Sequence, residues 1–114
     1  MRDVLAAERR GTQRAQLAVA TYLHRLIAGV ASMAASLGGL DVLVFTGGVG
    51  ENAAPIRARA TAGLSFLGLS IDDDPNSAEG DDRELTADGS RARTFVIRSR
   101  EDLEIARQVR SVLC

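Results

Sequence analysis

The stretch Leu40-Asp41-Val42-Leu43-Val44-Phe45-Thr46-Gly47-Gly48-Val49-Gly50-Glu51-Asn52 decides how this 114-residue chain is read. Residues 40–45 form a short, Val-rich apolar run broken only by Asp41, the pattern of a strand covered on both faces. Gly47, Gly48 and Gly50 follow at once, and residues 53–67 carry enough Ala, Arg and Leu for a helix. Asn52 stands where an N-cap would, and Pro55 falls in the first turn, where its missing N–H does no harm. A strand that stops at glycines and restarts as a helix gathers backbone N–H groups and the positive end of a helix dipole, which suits an anion. Glycine adds tolerance of positive φ and close approach of a phosphate to the backbone, and a nucleotide commonly carries such a phosphate. On glycine spacing alone, a tight structural turn is the simpler reading. The run is neither GxxxxGK[ST] nor GxGxxG, and the chain has no Lys to reach a γ-phosphate. Glu51 would repel a phosphate unless turned away, so its expected role is to hold the loop by accepting backbone hydrogen bonds.

Upstream, residues 2–10 read as a short Ala-rich helix stopped at Gly11. Val19, Leu23, Leu26, Ile27, Val30, Met33 and Leu37 recur at spacings of three and four, which predicts one long helix over residues 12–37 with a single apolar stripe, ended by Gly38-Gly39. Downstream, Leu69 and Ile71 suggest a brief strand, and the Asp-rich segment 72–76 an exposed turn. Residues 93–97 read as a second buried strand. Ser99-Arg100-Glu101-Asp102 has capping-box form before a terminal helix carrying Leu103, Ala106, Val109 and Leu113. Helix, strand, glycine turn, helix, strand, helix is an α/β order, with helices packed on a small sheet.

Composition removes several function classes. The chain is 46% hydrophobic and 25% charged, with net charge -1, which suits one soluble domain. Its 14 basic residues, all Arg, are scattered and balanced by 15 acidic ones, so no nucleic-acid footprint is expected. A single cysteine, Cys114, makes neither a disulfide framework nor a thiolate cluster. No apolar run is expected to span a bilayer and no signal peptide is visible, so the expected location is cytoplasmic. Asp72, Asp73 and Asp74 lack the spacing of a calcium loop, and His24 has no partner ligands; both are read as surface.

The residues also carry a family resemblance. The run from Leu40 to Asn52 resembles the acetate kinase signature around its VFTxGIGEN loop, and Arg57 matches the family's usual Arg downstream. Leu67-Gly68-Leu69-Ser70-Ile71-Asp72 with Asn76, and Val96-Ile97 leading into residues 101–107, resemble later family blocks. Met1-Arg2-Asp3 is similar to a segment beginning Asp-x-Arg, with the Asp missing. Gly47 and Val49 depart mildly from the family's Ala and Ile, while Arg98-Ser99-Arg100 departs more from its Pro, Thr and Asn or Asp.

The resemblance implies a partial actin-like ATPase (ribonuclease H-like) domain: residues 1–114 would be the C-terminal part of a nucleotide-binding domain, without the N-terminal substrate domain and its catalytic His and Arg. It implies ATP or ADP with Mg²⁺ as cofactors and acetate as the second substrate. Arg2, Gly48, Val49, Gly50, Glu51 and Asn52 would serve the nucleotide site, and Glu101 would stand at the magnesium-associated Glu. Read without the family, Glu101 is a first-turn carboxylate favoured by the helix dipole. No catalytic residue is assigned, and the chain alone is expected to be inactive. A full-length relative is expected to form a homodimer and to bind no nucleic acid or membrane. A propionate or butyrate kinase piece and a non-enzymatic truncated remnant stay open.

Overall fold

The computed structural model describes residues 1–114. Its elements are α1 (Arg2–Arg9), α2 (Gln13–Leu37), β1 (Val42–Phe45), α3 (Gly47–Asn52), α4 (Ala54–Gly63), a 3-10 turn at Ser65–Leu67, α5 (Asp73–Ser77), β2 (Arg83–Glu84), β3 (Arg93–Val96) and α6 (Glu101–Leu113). The strands form one sheet in the order β1-β3-β2. β1 and β3 are parallel, with Val42 opposite Arg93 and Phe45 opposite Val96, while β2 runs antiparallel to β3. Parallel neighbours need a long crossover, and here it contains α3 and α4, the α/β arrangement the residue pattern predicts.

Glycines set the helix ends. Gly11 (φ +85) closes α1 and Gly38 (φ +79) closes α2 in the left-handed conformation that lets the chain reverse. α1 thereby folds back along α2. Leu5 joins Val19 and Leu23 of α2, Phe45 of β1, Ala53, Ile56 and Ala60 around α4, and Leu85 and Val96 from the sheet in the main core. Burying a Val or Leu from water stabilises by roughly 1.5–3 kcal/mol, so this cluster is what holds the helices to the sheet. Leu64, Leu69 and Ala92 make a smaller second core under Val30 and Leu43. Gly63 allows α4 to approach α2 there, since a Cβ at that position would lie 2.5 Å from Ile27 Cδ1.

Several local expectations are corrected. β1 is not covered on both faces: it is the edge strand, Val42 and Val44 are about half exposed, and only Phe45 is buried. Along α2, Met33 and Leu37 lie in the open, because neither core extends under the last turns. α2 is also long and apolar enough to cross a membrane by length and composition, contrary to the sequence reading. In this structure its Ala15, Val19, Leu23 and Ala34 are buried against protein. The segment at 72–76 is exposed at Asp72, Asp73 and Asp74 as expected, but it forms a helical turn and its Asn76 is buried. No side-chain cap forms at the start of α6: its N-cap is Arg100, which has no side-chain acceptor, and the Ser99 N–H that a capping box would engage donates to Glu51 Oε2.

Candidate functional site

The glycine run is itself a helix. Thr46, in extended conformation, precedes α3, and Gly47 opens it at φ +76, a value that L side chains rarely adopt. Gly48 has no positive φ, so the conformational demand within the run falls on Gly47 alone. A Cβ at Gly48 would meet nothing within 4 Å, so its surface is open. Gly50 faces the other way: a Cβ there would lie 3.3 Å from the Phe45 carbonyl carbon, which makes it a packing glycine against β1.

Asn52 does not cap α4. It is the last residue of α3, and its Nδ2 donates to Gly48 O at 2.9 Å, four residues back. The chain breaks at Ala53 (φ -110, ψ 77) before α4 begins, so the uncapped start of α4 relies on Pro55 in its first turn.

Three of the last four carbonyls of α3 are met. Val49 O accepts the Ala53 N–H, and Arg57 Nη1 donates to Gly50 O at 2.9 Å and Glu51 O at 3.0 Å. The rest of the Arg57 fork reaches Asn76, with Nε donating to Oδ1 at 2.8 Å and Nη2 to the backbone oxygen at 2.6 Å. Asn76 Nδ2 in turn donates to Ala54 O at 3.0 Å. Arg57 is only 1% exposed and has no carboxylate partner; four oxygens solvate it instead. Burial, with a smaller contribution from the charge of Arg83, lowers its pKa below the ordinary arginine value, and a helix C-terminus is a favourable place for the cation. Glu51 turns from the glycine face toward the β3–α6 connection and accepts the Ser99 N–H at 3.1 Å, the loop-holding role expected of it.

A cleft of about 750 Å³ lies between α1 and α3. Arg2, Leu5 and Arg9 line it from α1, Gly48, Val49 and Asn52 from α3, and Ala53, Pro55 and Glu79 close it. Arg2, Gly48, Val49 and Asn52, separated by nearly fifty residues in sequence, are therefore brought together. Gly50 and Glu51 are not among its lining residues; Glu51 and Asn52 border a second cavity of about 500 Å³ with Arg57 and Arg98. Sequence reading missed Arg9 and Glu79. Arg9 was legible, because positions 2, 5 and 9 share one helical face, whereas nothing in the sequence brings Glu79 to α1. The cleft thus gathers two guanidinium groups and one carboxylate, that of Glu79, around an open glycine surface.

Glu101 lies on the exposed first turn of α6, away from this cleft, with no hydrogen-bond partner and with Arg98 and Arg100 nearby in sequence. No three His, Cys, Asp or Glu side chains gather anywhere in the chain. Magnesium sites commonly use one or two carboxylates with phosphates and water, and these residues alone do not compose one.

Helices on a small mixed sheet, with a glycine helix at the end of its edge strand, give the fold of the actin-like ATPases, as seen in acetate kinases. The chain belongs to the Acetokinase family, which it matches over residues 1–107. It is 48% identical over 108 residues to the acetate kinase of Gloeobacter violaceus and 49% over 106 residues to that of a Nostoc species. These matches cover 95% and 93% of this chain but 27% and 26% of those proteins, so the chain spans about a quarter of their length. The crystal structure of Porphyromonas gingivalis acetate kinase superposes with a TM-score of 0.85 at 33% identity, covering 99% of this chain and 29% of that one. A propionate kinase from Francisella tularensis superposes at 0.81 with 38% identity, covering 92% of this chain and 27% of that one.

Proposed function

We propose that this chain provides the nucleotide-binding part of an acetate kinase, in which a phosphoryl group passes between ATP and acetate to give acetyl phosphate and ADP. The observation that carries the reading is the cleft where Arg2 of α1 faces Gly48, Val49 and Asn52 of α3. Its residues do three things. Arg2 and Arg9 attract and orient the polyphosphate, the open surface of Gly48 admits ribose or phosphate close to the backbone, and Asn52 offers its amide oxygen while its Nδ2 is held by Gly48 O. Gly50 and Glu51 act indirectly, by seating α3 on β1 and on the β3–α6 connection. Phosphoryl transfer depends mainly on positioning and charge neutralisation, and positioning the nucleotide is the share this chain supplies.

Mg²⁺ accompanies nucleotide in this chemistry by neutralising phosphate charge. Glu101 belongs to the proposal only as a family-matched carboxylate. Acetate is assigned no holding residue in this chain, so the chain alone is inactive and the remaining parts of the family fold complete the site. Homodimer formation through those fuller proteins and a cytoplasmic location belong to the same proposal. A propionate kinase is the second reading, favoured by the match to the Francisella tularensis structure, and acyl-chain choice lies outside these residues.

Calorimetric titration of the chain with ADP tests the reading. Saturable binding, weakened several-fold in Arg2→Ala, is expected, together with no acetyl phosphate formed from ATP and acetate. Absence of ADP binding by the folded chain, or turnover above a mock preparation, would overturn it.

A further inference from the structure

Arg57 does not line the cleft between α1 and α3, yet it touches the elements that form two of its walls. Its fork holds Gly50 O and Glu51 O at the end of α3, the helix that presents Gly48, Val49 and Asn52. The same fork holds both oxygens of Asn76, three residues before Glu79 on the opposite wall. Asn76 then ties back to Ala54 O, closing a ring of hydrogen bonds between α3, the start of α4 and α5. A six-residue helix rich in glycine gains little of its position from side-chain packing, since none of its residues is fully buried and Val49 alone among its side chains packs against the main core. A lone ammonium could serve the charge but not the four directions; only the planar guanidinium reaches all four oxygens at once.

We propose that Arg57, clasped by Asn76, is a positioning residue that sets the distance between the glycine helix and the segment carrying Glu79, and so fixes the width of the cleft for its polyanionic ligand. The inference rests on the nucleotide reading for its ligand, and on the hydrogen-bond ring alone for its mechanics. Arg57 acts through α3 and α5 and touches no ligand itself.

The test compares the parent chain with Arg57→Lys and Asn76→Ala, using Arg59→Lys as a control on the same helix whose only side-chain partner is the partly buried Glu8. Amide hydrogen exchange is expected to quicken at residues 48–52 and 77–80 in both clasp variants, with exchange in α2 and β3 unchanged. ADP affinity should fall about tenfold in both and stay near the parent value in Arg59→Lys. If the parent itself binds no ADP, the nucleotide reading fails while the exchange pattern still decides the clasp. Exchange that rises evenly through the whole chain, or unchanged exchange at residues 48–52, would overturn the proposal, as would unchanged ADP affinity in a folded Arg57→Lys chain whose parent binds. If Arg57→Lys fails to fold, Asn76→Ala, which keeps the Arg57 contacts to α3, decides by the same readings.

Discussion

A Cβ added at Gly48 would enter open space, whereas one at Gly50 would press on the backbone of Phe45, and one at Gly47 would sit at φ +76. Gly47 therefore answers to backbone strain and Gly50 to packing, while Gly48 leaves open the space that the proposed ligand would use. This separates a turn from a binding surface by substitution. Gly48→Val should leave the melting temperature close to the parent's, because Val replaces a residue of lower helix propensity and clashes with nothing in the chain. It should lower ADP affinity at least tenfold, about 1.4 kcal/mol, by filling the space a phosphate or ribose would use. Gly50→Ala should do the reverse, losing about 1 kcal/mol or more of stability to overpacking against β1. Unchanged ADP affinity in a folded Gly48→Val chain would reduce the glycine run to a turn. Which glycine carried the positive φ was not legible, since the residues are chemically identical and only the path of the chain distinguishes them. Asn52 misled for a related reason: a capping residue type met its partner inside its own helix, at Gly48 O, rather than at the next one.

Among the elements, α1, α2, β1 and β3 were legible because each is bounded by glycines or follows one clear apolar period. β2 and α5 were not. Two residues of strand carry no period, and α5 is held by Asn76 to Arg57, a contact nineteen residues away in sequence. The start of α6 shows the same limit, since Ser99-Arg100-Glu101-Asp102 suggested a capping box while the junction is fixed from outside the helix. Asp82 accepts the Arg98 N–H at 2.7 Å and Arg100 Nη2 at 2.8 Å. The bond from the Arg98 backbone, and then that from the Arg100 side chain, hold the Asp82 carboxyl below its ordinary 3.8. A carboxylate that binds protons more weakly folded than unfolded contributes its tether fully above the unfolded value, and loses it as pH falls through the lower folded value. The Asp82 carboxyl resonance should accordingly titrate with a midpoint below 3.8, and exchange at the Arg98 amide should quicken over that same acidic window and not at neutral pH. A midpoint at or above 3.8 would mean that the junction is not held this way.

As a whole molecule the chain is extended for its length. Its radius of gyration is 16.3 Å, against about 13 Å for a compact domain of this size, and its longest extent is 52 Å. The 25-residue α2 and the projecting α6 account for this, since α6 buries no residue and leaves Leu103, Ile105, Val109, Val112 and Leu113 in the open. Apolar faces of α6, β1 and the end of α2 are those a fuller fold would cover, in keeping with a chain about a quarter as long as its relatives. The α/β class was readable from element order, but this exposure was not, because periodicity reports that a face is apolar and is silent on what lies against it. The cleft between α1 and α3 forms within this one chain because α1 folds back along α2 and brings Arg2 to α3. The most direct measurement is an amide-resolved NMR titration of the isotope-labelled chain with ADP. Shifts that saturate and concentrate at Arg2, Arg9, residues 48–53 and Glu79, with α6 and the end of α2 silent, are the expected result. Saturating shifts centred elsewhere, or none at millimolar ADP in a folded chain, would contradict the assignment of this cleft to the nucleotide.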